Sequence, residues 1–220
     1  MNVPATAGAA FMARMTASAT HEIRNVLAIV KESAGLIEDL LASAAAGEAS
    51  TRERVLRAAE RIEAQVARGA EVAGTLNRLA HALEGGDGSL DLTEEVAQAV
   101  CLFRRIAAQR QHTLRMQPSS GSVPVVAPAL PLQMALVAAL ECCLDQLPGP
   151  GTVTAAAVRA GRCASVEFSA VAGSSPVAPP PDAGDGWRRL VELAGAVGAS
   201  VEADGDACRV RLVWPACDAT

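Results

Sequence analysis

Between about Ala9 and Leu83 the chain contains no proline, and its apolar residues recur at helical spacing with one interruption, the small and polar segment from Ala42 to Thr51. A periodic stretch of this length with a single break predicts two long helices folded back as a hairpin. Met15, Ala19, Ile23, Val26, Val30, Ala34, Ile37 and Leu41 form one stripe in the first helix. Leu56, Ala59, Ile62, Val66, Ala70, Ala73, Leu76, Ala80 and Leu83 form another in the second. Each stripe needs a surface to pack on, and two helices cover only part of each other. A second copy would complete a dimeric four-helix bundle; the alternative is that the rest of the chain packs along the hairpin.

The run from Glu84 to Ser89 (EGGDGS) forms turns readily, which places a boundary between a helical-hairpin domain, residues 1–86, and a second domain, residues 87–220. A helix is expected from Asp91 to about Gln109, with Asp91 or Thr93 as its cap and acidic residues in its first turn. Strands are expected at His112 to Met116, Val123 to Val126, Thr152 to Val158, Ala164 to Ala170, Ser200 to Ala203 and Cys208 to Val213. Helices are expected at Leu130 to Gln146 and Trp187 to Val197, and a loop without regular structure at Ser174 to Pro181. The mixture predicts an α+β layer, a mixed sheet with helices on one face.

The 220 residues are half apolar, enough for a sizeable core, and carry 19 Lys plus Arg against 24 Asp plus Glu. A net charge of -5 supplies no basic field for a phosphate backbone, so nucleic-acid binding is not expected. Lys31 is the only lysine and tyrosine is absent, an Ala/Arg/Gly bias that matches the compositional habit of a bacterial genome. The longest uncharged stretch, Met116 to Leu140, is interrupted by Pro118, Pro124, Pro128 and Pro131, so no membrane span is expected. The N-terminal segment has neither a basic leader nor a sustained apolar run, and a cytoplasmic location follows as an expectation. Cys101, Cys142, Cys143, Cys163, Cys208 and Cys217 form no C-x-x-C pair and read as small buried thiols. His81 and His112 have no metal-like companions in sequence and read as structural or solvated.

His21 differs from these. Its helical neighbours Ala17, Ser18, Arg24 and Asn25 are small or polar, and the stripe residues Ala19 and Ile23 point elsewhere, so the imidazole lies off the apolar face. An exposed imidazole beside Glu22 can act as a nucleophile, because a carboxylate can take up the ring proton and leave the other nitrogen free to attack. An ordinary solvated histidine would show the same spacing.

The segment Phe11-Met12-Ala13-Arg14-Met15, followed by His21-Glu22-Ile23-Arg24-Asn25-Val26-Leu27, resembles the phosphoacceptor box of the dimerisation and phosphotransfer domain of sensor histidine kinases. The resemblance implies that His21 is phosphorylated, that Glu22 assists as base, and that Asn25 positions water in dephosphorylation. Arg24, one turn on, would face the transferring phosphoryl group. Ile23 and Leu27 are expected in the bundle core, and Ala17, Ser18, Val26 and Ala28 on the surface that meets a partner. The family usually has proline where this chain has Val26, which predicts a straighter helix here.

Leu132 to Leu147 and the strand after it are similar to the family's helix that carries a magnesium-binding asparagine, but that position falls on Cys142 or the neighbouring Glu141. A thiol is a poor ligand for a hard cation. The adenine-recognising Asp-x-Gly-x-Gly loop would align with Ala170-Val171-Ala172-Gly173-Ser174, without its aspartate and both glycines. Gly184 and Gly186 resemble a remnant of the glycine-rich phosphate loop, and Gly198 matches the glycine after the last helix.

The second half therefore resembles a degenerate histidine-kinase ATPase domain, and the whole chain resembles the dimeric histidine phosphotransferases of phosphorelay signalling. The resemblance implies that His21 relays phosphoryl groups between aspartates of response-regulator receiver domains without binding ATP. No cofactor of its own is expected, the receiver supplying magnesium. Two other functions are compatible with the same pattern. One is an ATP-dependent histidine kinase in which Glu141 or another acid replaces the lost asparagine, and the other is a non-catalytic dimeric signalling adaptor with a vestigial His21. A phosphatase acting through Asn25 is a variant of the phosphotransferase reading.

Overall fold

The structure, a computed structural model, describes residues 4–43, 49–82, 87–119, 121–161, 163–173, 175–177, 184–204 and 208–215. Helices α1 (Ala5–Ser43) and α2 (Ala49–His81) pack along each other as the expected hairpin. α1 continues through Val26 without a break, as the missing proline predicts. The two helices come close at Gly69, where an added Cβ would stand 3.1 Å from Val26 Cγ1.

The face of α1 turned inward carries Phe11, Met15, Ala19, Val26 and Leu40. Leu41, expected on this stripe, is exposed. The larger correction concerns α2. Its buried face within the chain is Ala58, Val72, Thr75 and Leu79, whereas Leu56 and Val66 of the expected stripe are 52% and 56% exposed. Thr75 tolerates burial because its hydroxyl donates to the Glu71 carbonyl at 2.8 Å, so a polar position belongs to the packed face and an apolar row is left outside it. Leu83 lies outside the described residues. No described helix is long and apolar enough to cross a membrane.

Beyond the hairpin come β1 (Asp87–Asp91), α3 (Leu92–Gln109), β2 (Thr113–Met116), β3 (Pro124–Pro128), α4 (Ala129–Leu144), β4 (Thr152–Ala160), β5 (Cys163–Ala172), β6 (Ser175–Pro176), α5 (Asp185–Ala196), β7 (Ser200–Ala203) and β8 (Arg209–Trp214). Every element expected in this half forms, with ends shifted by at most two residues. β1 and β6 are additions. β1 occupies residues read as part of a turn-forming run, because antiparallel pairing with β3 supplies backbone partners that its Asp-Gly-Ser sequence would not recruit alone. β6 pairs with the end of β5, so part of the expected proline-rich loop is a strand, while Ser174 and 178–183 lie outside the described residues.

The main sheet has the order β2-β4-β5-β8-β7, with β6 on the end of β5. Its β2 and β4 are parallel and all other pairs antiparallel, which makes the sheet mixed. Val153, Ala155, Val166, Phe168, Val210 and Leu212 alternate inward beneath the helices, and Thr154, Glu167 and Arg211 on the opposite face stay partly exposed. α4 is buried along nearly its whole length between the sheet, α3, α5 and the N-terminal part of α1. α5 stops in a Schellman turn: Gly198 adopts φ 71°, and Ala199 N–H donates to the Ala194 carbonyl at 2.9 Å.

The hairpin and the α+β layer share one continuous core, in which Phe11, Met15, Ala19, Val72 and Leu79 join residues of α3 and α4. Polar groups at this junction are paired across it. Ser18 Oγ donates to the Leu102 carbonyl at 3.3 Å, and Arg78 Nε to Gln98 Oε1 at 3.2 Å.

Candidate functional site

α1 is an Ala-rich helix, and its register places residues three or four apart on one side. Met15, Ser18, Ala19 and Val26 face the core, which leaves His21 and Arg24 exposed. Leu27 is 61% exposed in the single chain, whereas Ser18 and Val26, expected on the surface, are buried. Ser18 turns to α3 and Val26 to Gly69, so neither is open to a partner. Ala17 and Ala28 are exposed as expected.

Glu22 and Asn25 are one turn apart and line a cleft of about 390 Å³ between α1, α2 and α3. Glu22 is ion-paired with Arg68 of α2, and its side chain is 13% exposed. Its carboxylate is thus engaged by a guanidinium instead of the His21 ring. The cleft also receives Val26 from α1 and Arg104 and Arg105 from α3. Sequence reasoning singled out none of these three arginines. The pair Arg104-Arg105 is visible as the charged side of an amphipathic helix, but only packing brings it opposite Glu22 and Asn25.

The positions matched to a nucleotide site lie elsewhere. Cys142 is buried on α4, and an added Cβ on Gly186, in the first turn of α5, would come 3.7 Å from its sulfur. Burial, with Asp145 and Glu141 nearby, pushes the Cys142 thiol up to about 11, and sulfur is a poor match for a hard cation such as magnesium. Glu141 is committed to Arg14, whose Nη2 lies 2.5 Å from Glu141 Oε1. These residues do not fit a magnesium ion. Among the described residues, no group of three or more His, Cys, Asp or Glu side chains is arranged to hold a metal.

Ala170 is buried in β5, and its N–H donates to the Cys208 carbonyl at 2.9 Å. The segment expected to match an adenine loop is the end of a strand that turns at Gly173 and pairs back through β6. Gly184 is the N-cap of α5 without a side-chain cap bond, and Asp185 behind it pairs with Arg188.

The cysteines are free thiols in the described structure: Cys142, Cys143 and Cys208 buried, Cys101 half-buried, and Cys163 exposed against expectation. Cys217 lies outside the described residues. Cys208 Sγ donates to the Cys143 carbonyl at 4.0 Å, and the hydrogen bond between the two thiols, joined by burial at Cys143 and opposed by it at Cys208, holds Cys143 well above the usual thiol value and Cys208 below it. His112 is half-buried, and burial followed by the nearby Arg110 charge moves it below the ordinary histidine value.

No protein-family model matches the chain. No curated protein matches it either. Among solved structures, it is similar to a mycobacterial sensor histidine kinase, MprB, at 15% identity and a TM-score of 0.47, over 59% of this chain and 97% of that one. It is similar to the Acinetobacter baumannii histidine kinase AdeS at 14% identity and a TM-score of 0.44, over 88% of this chain and 95% of that one. The catalytic domain of histidine kinase ThkA in a nucleotide-free form aligns at 10% identity and a TM-score of 0.48, over 59% of this chain and 94% of that one.

Proposed function

We propose that the chain is a histidine phosphotransferase of two-component signalling, accepting a phosphoryl group on His21 from one response-regulator receiver and passing it to another. The observation that carries this reading is the placement of His21: an exposed imidazole on a helical hairpin, with Glu22 and Asn25 on the adjoining side of the same helix. In the first half-reaction an unprotonated ring nitrogen attacks the phosphorus of the receiver's aspartyl phosphate, the phosphorus–oxygen bond breaks, and the aspartate carboxylate leaves. In the second half-reaction a carboxylate of the next receiver attacks the phosphohistidine, and the imidazole departs. Magnesium, if bound by the receiver, would supply charge neutralisation at the phosphoryl oxygens. The work left to this chain is positioning, in which Arg24 meets the phosphoryl oxygens; Glu22 is paired with Arg68, so the ring proton of His21 passes to solvent.

What favours transfer over an ATP-dependent kinase is the chemistry of the two candidate metal positions, a buried soft sulfur at Cys142 and a carboxylate at Glu141 already ion-paired with Arg14. Dimerisation belongs to the same proposal. The row left open on α2, with Leu56 and Val66, and Leu27 on α1 supply apolar surface for a second hairpin. The protein would act in the cytoplasm on receiver domains, with its boundary between domains at residues 86 and 87.

The test is radiolabel transfer. The purified protein is incubated with labelled ATP and magnesium, and separately with a panel of labelled phosphoreceivers. Label acquired from a receiver, absent with ATP, and lost in His21→Ala is the expected result. Label taken directly from ATP would make the chain a kinase, and no label from any receiver would leave an adaptor.

A further inference from the structure

We infer that the cleft between α1, α2 and α3 is a binding site for a small phosphomonoester. His21 itself does not line this cleft, which adjoins the proposed phosphoacceptor site through Glu22 and Asn25. Its volume, about 390 Å³, lies within the range of small-molecule sites.

In a chain of net charge -5, this cleft gathers three guanidiniums, Arg68, Arg104 and Arg105, against the carboxylate of Glu22, with Glu71 in the adjoining concavity that the same arginines line. Arg68 is spent on Glu22. Neither Arg104 nor Arg105 makes an ion pair among the described residues. Two neighbouring guanidiniums facing one concave surface repel each other, and a bound dianion removes that repulsion.

A phosphomonoester near neutral pH carries close to two negative charges and three acceptor oxygens, which matches two unpaired planar donors in both charge and geometry. A single carboxylate supplies only half the charge. Asn25 and Gln109 add amide groups beside the arginines, suited to hydrogen-bonding the body that bears the phosphate. A ligand seated here would touch Glu22 and Asn25 and compete for Arg68, so its occupancy would alter the residues next to His21.

The test is calorimetric titration of the full chain with AMP, adenosine and inorganic phosphate. AMP and inorganic phosphate are expected to bind saturably, adenosine not at all, and affinity should fall as salt is raised. Arg104→Ala with Arg105→Ala should weaken phosphate and AMP binding at least about tenfold with the circular dichroism spectrum unchanged, and the double lysine variant should recover part of it. His21→Ala should bind both ligands as the parent does, which separates this site from phosphoryl transfer. Adenosine binding as well as AMP, no saturable phosphate binding, or equal binding by the alanine variant would each overturn the inference. So would a double variant that loses only transfer from receivers, since the arginines would then belong to a protein-docking surface.

Discussion

Arg14 Nη2 lies 2.5 Å from Glu141 Oε1, tying the first helix of the hairpin to the buried helix α4, and the same guanidinium stands 5.2 Å from the centre of the Phe103 ring on α3. One side chain thus joins three helices. It also engages the acid next to Cys142, the residue an ATP-dependent alternative would need for magnesium. The hairpin is thereby held on the α+β layer beside Cys142.

Breaking this tie should cost little stability, because both side chains are partly exposed, at 39% and 22%. Glu141→Ala is expected to lose about 1 kcal/mol in denaturant unfolding, with the loss shrinking in high salt. Arg14→Ala should lose more, since it also removes the contact with Phe103. An equal loss in both variants would mean that the ring contact contributes nothing.

Gly69 and Val26 should behave as a coupled pair. Alanine at 69 gains up to about 1 kcal/mol in helix propensity, but its Cβ would come 3.1 Å from Val26 Cγ1, a β-branched atom with little freedom to rotate within a helix. Gly69→Ala is therefore expected to destabilise the parent and to stabilise a Val26→Ala background. A thermal-denaturation double-mutant cycle should give a coupling of about 1 kcal/mol, and additive effects would show that the helices simply move apart.

Glu95 gives a pH dependence of defined sign. Burial raises its carboxyl above the ordinary value of 4.5, against the opposing effects of Gln133, whose Nε2 donates to it at 2.5 Å, and of Arg78. The folded state therefore favours the protonated acid. This group's contribution is fully present below 4.5 and declines as pH rises through that value to the raised folded one. Glu95→Gln removes the ionisation and keeps an acceptor for Gln133. The variant should be more stable than the parent at neutral pH and lose that advantage in acid, as read by urea unfolding at both pH values.

Asp91 gives the opposite slope. Slight burial pushes its carboxyl up, but hydrogen bonds from Ser122, the Val123 N–H and the Thr93 N–H outweigh this and hold it below 3.8. Its stabilising contribution is present above 3.8 and disappears as pH falls through the lowered value. Its Oδ1 accepts from Thr93 N at 2.8 Å and from Val123 N at 3.1 Å, capping α3 while fastening the segment that leads into β3. Asp91→Ala should cost about 1–2 kcal/mol in chemical denaturation and Asp91→Asn distinctly less, since the amide keeps an acceptor.

What the sequence determined by itself is local: hydrophobic period, capping and proline placement. These are properties of neighbouring residues, and they sufficed for the two hairpin helices, a cap on α3 at Asp91 or Thr93 that the fold assigns to Asp91, every main strand of the layer and the exposed position of His21. Tertiary structure decided what depends on distant partners. β1 exists because β3 pairs with it, not because Asp87-Gly88-Ser89 favours a strand. The buried face of α2 runs through Thr75 because a hydroxyl bonded to its own helix packs as an apolar group would, so the most hydrophobic row was free to stay outside. Glu22 lies beside His21 in sequence but is turned to Arg68 in space, and Arg104 and Arg105 come opposite Asn25 only through the docking of α3 on the hairpin. Helical spacing says which side of one helix a residue occupies. Which other helix faces that side is decided by how the shared core closes.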